Sequence, residues 1–312
     1  MRALSDSHEE TKMASRVHLG KLLDAILLLA LLLGGASPSH AEIYVLGDSL
    51  SDVGALGFTY TNPADTSPRR DGQVWPQYLG NSRSAYCNEA QQCPRSDRSF
   101  YYTRPGNNYA VGGAGITFDS PDARAHLNYT SLPNQVTALL NGHTLAAGDT
   151  VALWIGANDI LNAVQKGNAV GAEVEFAIQV FRQETVRLAQ HANGARIYIL
   201  TIPDLGKTPA GLSSPDGGAQ LTELTNRFNQ GIAASLPART YIIDSNAVFA
   251  DLRKLMATSI SFCRRPIDPQ HECGNASNPV TPGLAPSAQV LFADPLHPSI
   301  AAHRYIANHL AF

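Results

Sequence analysis

Four short runs of the chain are apolar at nearly every position rather than at alternate ones: IYVL (43–46), VALWI (151–155), IYILTI (197–202) and YIID (241–244). Strands covered on both faces of a parallel sheet read this way, whereas half-exposed strands alternate. A weaker fifth run is YAV (109–111). Between these runs lie segments with helical spacing at 131–141, 171–194 and 221–236. In the longest, Ile178, Phe181, Thr185 and Leu188 fall on one face, and Asn193-Gly194 makes a C-terminal stop. A closing helix is expected over SIAAHRYIANHL (299–310), with Pro298 suited to its first turn. The alternation of strand and helix predicts an α/β fold, a doubly wound parallel sheet of about five strands between two helical layers. No repeat or low-complexity linker interrupts 42–312, so one domain is expected there.

In such a sheet the loops at the carboxyl ends of the strands form the binding crevice. That rule brings together Gly47, Asp48 and Ser49 after the first run, Gly112 and Gly113 after the weak one, and Gly156, Ala157, Asn158 and Asp159 after VALWI.

Composition narrows the possibilities. The 312 residues are 44% hydrophobic and 16% charged, with a net charge of −3 and no basic run, which suits a globular chain without a nucleic-acid partner. Lys12, Arg16 and Lys21 precede the nine-residue run AILLLALLL (25–33) and the small residues up to Ala41. A basic segment, a short apolar core and a small-residue cut site make residues 1–41 a secretory signal, with Met13 an alternative start. A membrane span needs roughly 20 apolar residues. Secreted or periplasmic localisation is therefore expected. Four cysteines follow, and in an oxidising compartment the local pairs Cys87–Cys93 and Cys263–Cys273 would each close a short loop. Neither pair has the two-residue spacing of a zinc knuckle, and no metal or cofactor is expected.

Ser49, at a strand-to-helix turn, reads on its own as a helix cap, with a nucleophile as the alternative. A nucleophile needs a base, a group that orients the base, and donors for the oxyanion. DPLHP (294–298) supplies Asp294 and His297 three apart, each held out of helical geometry by a following proline. Asp48, Asp52 and Asp159 read as supports for their turns, Gly112 and Gly115 as turn glycines, and His303 as a surface or packing residue. Trp75 and Trp154 could line an acyl or cationic headgroup pocket, but a Trp inside a buried strand is usually core.

These residues resemble the GDSL, or SGNH, hydrolase family of esterases and lipases. GDSLSD (47–52), NYAVGGAG (108–115), GAND (156–159) and DPLHP (294–298) match its four blocks in order. Finer similarity lies in DGQVWPQYL (71–79), TIPDLGKTP (201–209), RFNQGI (227–232) and FADPLHPSIAAHRYIA (292–307). The resemblance implies a flavodoxin-like fold with Ser49 as nucleophile, Asp294 and His297 completing a triad, and Ser49, Gly113 and Asn158 as oxyanion donors. It implies hydrolysis of short acyl esters, choline esters or lysophospholipids, with acyl transfer or glycan O-deacetylation as variants on the same triad. A non-catalytic binding protein on the same scaffold is the alternative of a different class. Some relatives carry a C-terminal membrane barrel; the 15 residues after His297 are too few for one, so a soluble monomer is expected.

Overall fold

The computed structural model describes residues 41–312 except 57, 62–71, 87–92, 95–100, 103–105, 122–129, 261–289 and 311; residues 93–94, 101–102, 257–260 and 290 are described by their backbone. In chain order the elements are β1 (Ile43–Gly47), α1 (Trp75–Tyr78), β2 (Cys93–Pro94), β3 (Tyr101–Tyr102), α2 (Leu132–Gly142), β4 (Thr150–Trp154), α3 (Ala157–Lys166), α4 (Val170–Gln190) and β5 (Arg196–Leu200). A 3-10 turn (Leu205–Lys207), α5 (Pro209–Leu212), α6 (Ala219–Ala233), β6 (Thr240–Ile243), α7 (Ser245–Leu255), β7 (Ala257–Ile260), β8 (Val290–Phe292) and α8 (Ile300–His309) complete the chain.

The four apolar runs form one parallel sheet in the order β1-β4-β5-β6, with Val45 opposite Ala152 and Val151 opposite Ile197. All five residues of β4 are buried, as a central strand covered on both faces requires. β6 departs from the expectation of two-sided burial. Among the described residues it pairs with β5 alone, its other residues are half-buried, and Tyr241 is 45% exposed. Asp244, grouped with this run in the sequence, caps α7 instead, its side chain accepting from the N–H groups of Asn246 and Ala247.

The weak fifth run lies beside β1 on the opposite edge. Val45 N–H donates to Asn107, and the Tyr109 and Val111 N–H groups donate to Val45 and Gly47. The segment follows β1 for these three bonds and then turns at Gly112–Gly113, so it is a paired edge segment rather than a regular strand.

Two groups of helices flank the sheet. α2, α3, α4 and α6 pack among themselves, and α1 and α7 pack on α8. The buried face of α4 carries Ile178, Phe181, Thr185 and Leu188, and Phe181 meets Phe228 of α6 edge-on at 6.3 Å. α6 ends at Ala233, three residues short of the expected boundary, because Ser235 takes a left-handed conformation. α8 opens one residue later than expected: Ser299 is its cap, and Pro298 stands just outside it.

Trp75 and Trp154 are core residues. Both are fully buried with centroids 6.2 Å apart, their ring N–H groups donating to Ser51 Oγ and the Thr201 carbonyl. Among the described residues no helix is long and apolar enough to cross a membrane. The expected signal segment and the cysteine pairings fall outside the described residues, Cys93 being described by its backbone alone.

Candidate active site

β1 ends at Gly47, and the chain does not then enter a helix. Asp48 Oδ1 accepts from Leu50 N–H at 3.0 Å, while Asp52 Oδ1 accepts from Gly54 and Ala55 N–H at 2.8 and 2.7 Å. Such local side-chain bonds compete with helical ones, and residues 48–56 form successive turns with Ser49 second among them. The expected strand-to-helix turn is thus corrected, and the capping role for Ser49 falls with it. Distant parts of the chain hold this loop in place. Gln135 of α2 accepts from Gly47 N–H and donates to Gly47 O, both at 2.8 Å, and Asn108 donates to the Ser51 carbonyl at 3.0 Å.

The DPLH segment is a compact turn closed by its own carboxylate. Asp294 Oδ1 accepts from Leu296 and His297 N–H at 2.8 and 2.7 Å, which leaves Oδ2 for His297 Nδ1 at 2.6 Å. A second tie, Ala293 N–H to the His297 carbonyl at 2.8 Å, sets the loop at the end of β8, and Ala210 of α5 donates to the Pro295 carbonyl. His297 Nε2 then lies 2.8 Å from Ser49 Oγ. The acceptor-only carboxylate takes the Nδ1 proton, so Nε2 is left to accept from the serine hydroxyl. All three side chains are nearly buried.

Gly113 and Asn158 meet at the same edge. The Gly113 backbone is left-handed, with φ of 77°, and an added Cβ would stand 2.9 Å from Ser120 Oγ; only glycine suits it. Neither the Ser49 nor the Gly113 N–H has an acceptor among the described residues. Asn158, in the first turn of α3, donates one amide hydrogen to the Ala114 carbonyl at 2.8 Å, leaving the other free to meet a ligand. Two carboxylates tie the loops together. Asp52 Oδ2 accepts from Gly112 N–H at 2.8 Å, and Asp159 accepts from Ile116 N–H, Thr117 N–H and the Thr117 hydroxyl. The reading of Asp52 and Asp159 as turn supports agrees with these bonds.

Three contributors carried no assignment in the sequence. Gln135 lies in an ordinary amphipathic segment, and Asn108 sits inside NYAVGGAG without a marked role. Tyr60 packs its ring on His297, centroids 5.0 Å apart, in space that exists because Gly112 lacks a side chain: a Cβ there would lie 2.1 Å from the tyrosine ring. No local signal marks Tyr60, since only folding brings it to the imidazole. His303 is buried rather than on the surface, its Nδ1 3.4 Å from Trp75 N–H.

Charge in the site follows donor count. Burial pushes the Asp294 carboxyl up, but the His297 imidazole and two backbone N–H groups outweigh it and hold the acid well below the usual carboxylate range. Burial pushes Asp48 up to about 7, against the backbone N–H groups of Leu50, Gly156 and Asp48 itself, with the Asp159 carboxylate adding to the rise. Burial likewise raises Asp159, and it lowers His303 to about 3, helped by His297.

A hydroxyl, an imidazole and an ionised carboxylate in sequence make the kit for nucleophilic attack on an acyl carbon. Fold and site together define the serine-hydrolase class on a parallel α/β sheet. The sequence model of the GDSL-like lipase/acylhydrolase family matches residues 43–310, and the chain belongs to that family. An uncharacterised protein of Pseudomonas putida, from the trpE-trpG intergenic region, is 28% identical over 91% of this chain and 50% of its own length. Lipase 1 of Photorhabdus luminescens is 27% identical over 58% of the chain and 25% of its own length. The phosphatidylcholine-sterol acyltransferase of Aeromonas hydrophila is 28% identical over 56% and 48%. The chain thus spans about half or less of these relatives. Among solved structures, a catalytic mutant of the acetylxylan esterase of Geobacillus stearothermophilus covers 86% of the chain and 91% of its own, at 14% identity and a TM-score of 0.42.

Proposed function

We propose that this chain is an exported serine carboxylic-ester hydrolase that works through an acyl-enzyme. The observation that carries the reading is the unbroken relay from Ser49 Oγ to His297 Nε2 at 2.8 Å and from Nδ1 to Asp294 at 2.6 Å. Ser49 Oγ attacks the ester carbonyl and passes its proton to Nε2, and Asp294 stabilises the imidazolium. The N–H groups of Ser49 and Gly113 and the Asn158 amide hold the oxyanion. Collapse expels the alcohol, protonated by His297, and water activated by the same imidazole releases the acid.

Short-chain acyl esters are the proposed substrates, with choline esters and lysophospholipids as the headgroup variants. Export rests on the basic, apolar and small-residue order of residues 1–41. Similarity to an acyltransferase supports a second reading, in which the same acyl-enzyme passes its acyl group to an alcohol instead of water.

A fluorophosphonate probe, which phosphonylates an activated serine, tests the core of the proposal together with p-nitrophenyl acetate. Stoichiometric labelling that disappears in Ser49→Ala is the expected result. A folded chain that neither labels nor hydrolyses the ester would sink the enzyme reading, and product analysis with added alcohols separates hydrolysis from transfer.

A further inference from the structure

Ser49, Asn158 and His297 share a cavity of about 40 Å³ whose remaining walls include Leu161 of α3, Leu205, Phe249 of α7, Phe292 of β8 and Leu296. A cavity of about 450 Å³ lies between α4 and the 234–237 turn, and neither Ser49 nor His297 lines it. We propose that the small cavity is the acyl subsite and that Leu161, Leu205, Phe249 and Phe292 are the residues that restrict it to short acyl groups. This rests on the acyl-enzyme reading above.

Chemistry assigns the cavity to the acyl side of the ester. Beyond the proposed catalytic groups, its one polar side chain among the described residues is Thr208, and that hydroxyl is committed twice: it donates to the Leu205 carbonyl at 2.7 Å and accepts from Gly211 N–H at 3.1 Å. Among the described residues no Asp, Glu, Lys or Arg lines it, so a choline, phosphate or sugar headgroup finds no charged partner among them. The alcohol portion is left to depart on another side of the site.

Size sets the chain length. Its volume of about 40 Å³ is small beside the cavity of about 450 Å³ along α4. The walls are not free to retreat. Leu205, Phe249 and Phe292 are 5%, 2% and 1% exposed and stand on three different elements, so lengthening the cavity means repacking close-packed core.

The test is kcat/KM over p-nitrophenyl acetate, butyrate, octanoate and dodecanoate. A methylene that fits or fails to fit an apolar pocket changes kcat/KM by about 10–200-fold, so a fall of about tenfold or more from butyrate to octanoate is expected. Leu161→Ala and Phe249→Ala should each raise the octanoate-to-butyrate ratio of kcat/KM about tenfold or more. If Phe249→Ala does not fold, Leu161→Ala, at a half-buried position, still decides. Preference for octanoate or dodecanoate in the unaltered chain overturns the proposal, as does an unchanged ratio in Leu161→Ala. Failure of the fluorophosphonate to label Ser49 overturns the acyl-enzyme reading as well, whereas a labelled Ser49 with long-chain preference overturns the subsite alone.

Discussion

Asp294, joined to Ser49 through His297, and Asp48, its neighbour in the chain, are 6% and 1% exposed and hold their protons in opposite ways. Asp294 has both oxygens engaged, one by two backbone N–H groups and one by an imidazole, and stays ionised. Asp48 Oδ1 accepts from Leu50 N–H while its Oδ2 has no hydrogen-bond partner among the described residues, and burial together with the Asp159 carboxylate outweighs the backbone N–H groups near it and drives it toward the neutral acid. Burial alone therefore does not decide the charge of a carboxyl; the number and charge of the donors facing it do. The difference also divides labour. The His297 side is built to move a proton, and the Asp48–Asp52–Asp159 side to hold backbone.

The largest effect that would break this division is loss of turnover on the His297 side without loss of fold. Asp294→Asn keeps an oxygen for the Leu296 and His297 N–H groups but turns an amide toward Nδ1, which favours the wrong tautomer. A fall in kcat of about 10³–10⁴-fold is expected, with little change in thermal unfolding. Turnover within tenfold of the unaltered chain would dissolve the contrast. Asn158→Ala should come next, lowering kcat by about 100–1000-fold, some 2.7–4 kcal/mol of transition-state stabilisation, with KM nearly constant in steady-state kinetics.

Asp52→Ala should show the converse pattern, mainly in stability. Three N–H groups, of Gly54, Ala55 and Gly112, lose their acceptor. At about 1–3 kcal/mol for each buried group left unsatisfied, a loss of about 3 kcal/mol or more is expected from urea unfolding.

The smallest effects lie in the pH dependence of stability, and the two buried groups should give slopes of opposite sign. His303 stays neutral down to about 3 in the folded protein, against 6.5 for the free imidazole. The unfolded chain binds more protons between those values, so this contribution is lost as pH falls from 6.5 toward 3. His303→Phe should therefore lose less in Tm than the unaltered chain between about pH 7 and about pH 4. Asp48 titrates near 7 when folded, against 3.8 when free, so the folded state binds more protons and stability declines as pH rises between those values. Asp48→Asn should gain on the unaltered chain as pH rises across that window, and a Tm difference that does not change with pH would rule out the shift.

Much of the architecture is legible before folding. The apolar runs locate β1, β4, β5 and β6, because two-sided burial leaves no polar position in a central strand. Helical spacing locates α2, α4, α6 and α8 to within a few residues. The four loop blocks nominate Ser49, Gly113, Asn158, Asp294 and His297, and DPLH contains its own turn chemistry, since a carboxylate two and three residues before the N–H groups it accepts needs no distant partner. α3 and α7 were not legible: one begins immediately after a loop block, and the other depends on Asp244 acting as a cap.

What the tertiary structure alone decided are matters of distance along the chain. The approach of His297 to Ser49 spans 248 residues, and the grip of Gln135 on Gly47 spans 88. The turn at Ser49, the edge exposure of β6, the Tyr60 ring against the imidazole and the proton affinity of Asp48 likewise depend on which neighbours arrive. Periodicity, capping and turn chemistry act over a few residues and can be read from sequence. Burial, donor count and side-chain contact are set by segments far apart in the chain, and only packing brings them together.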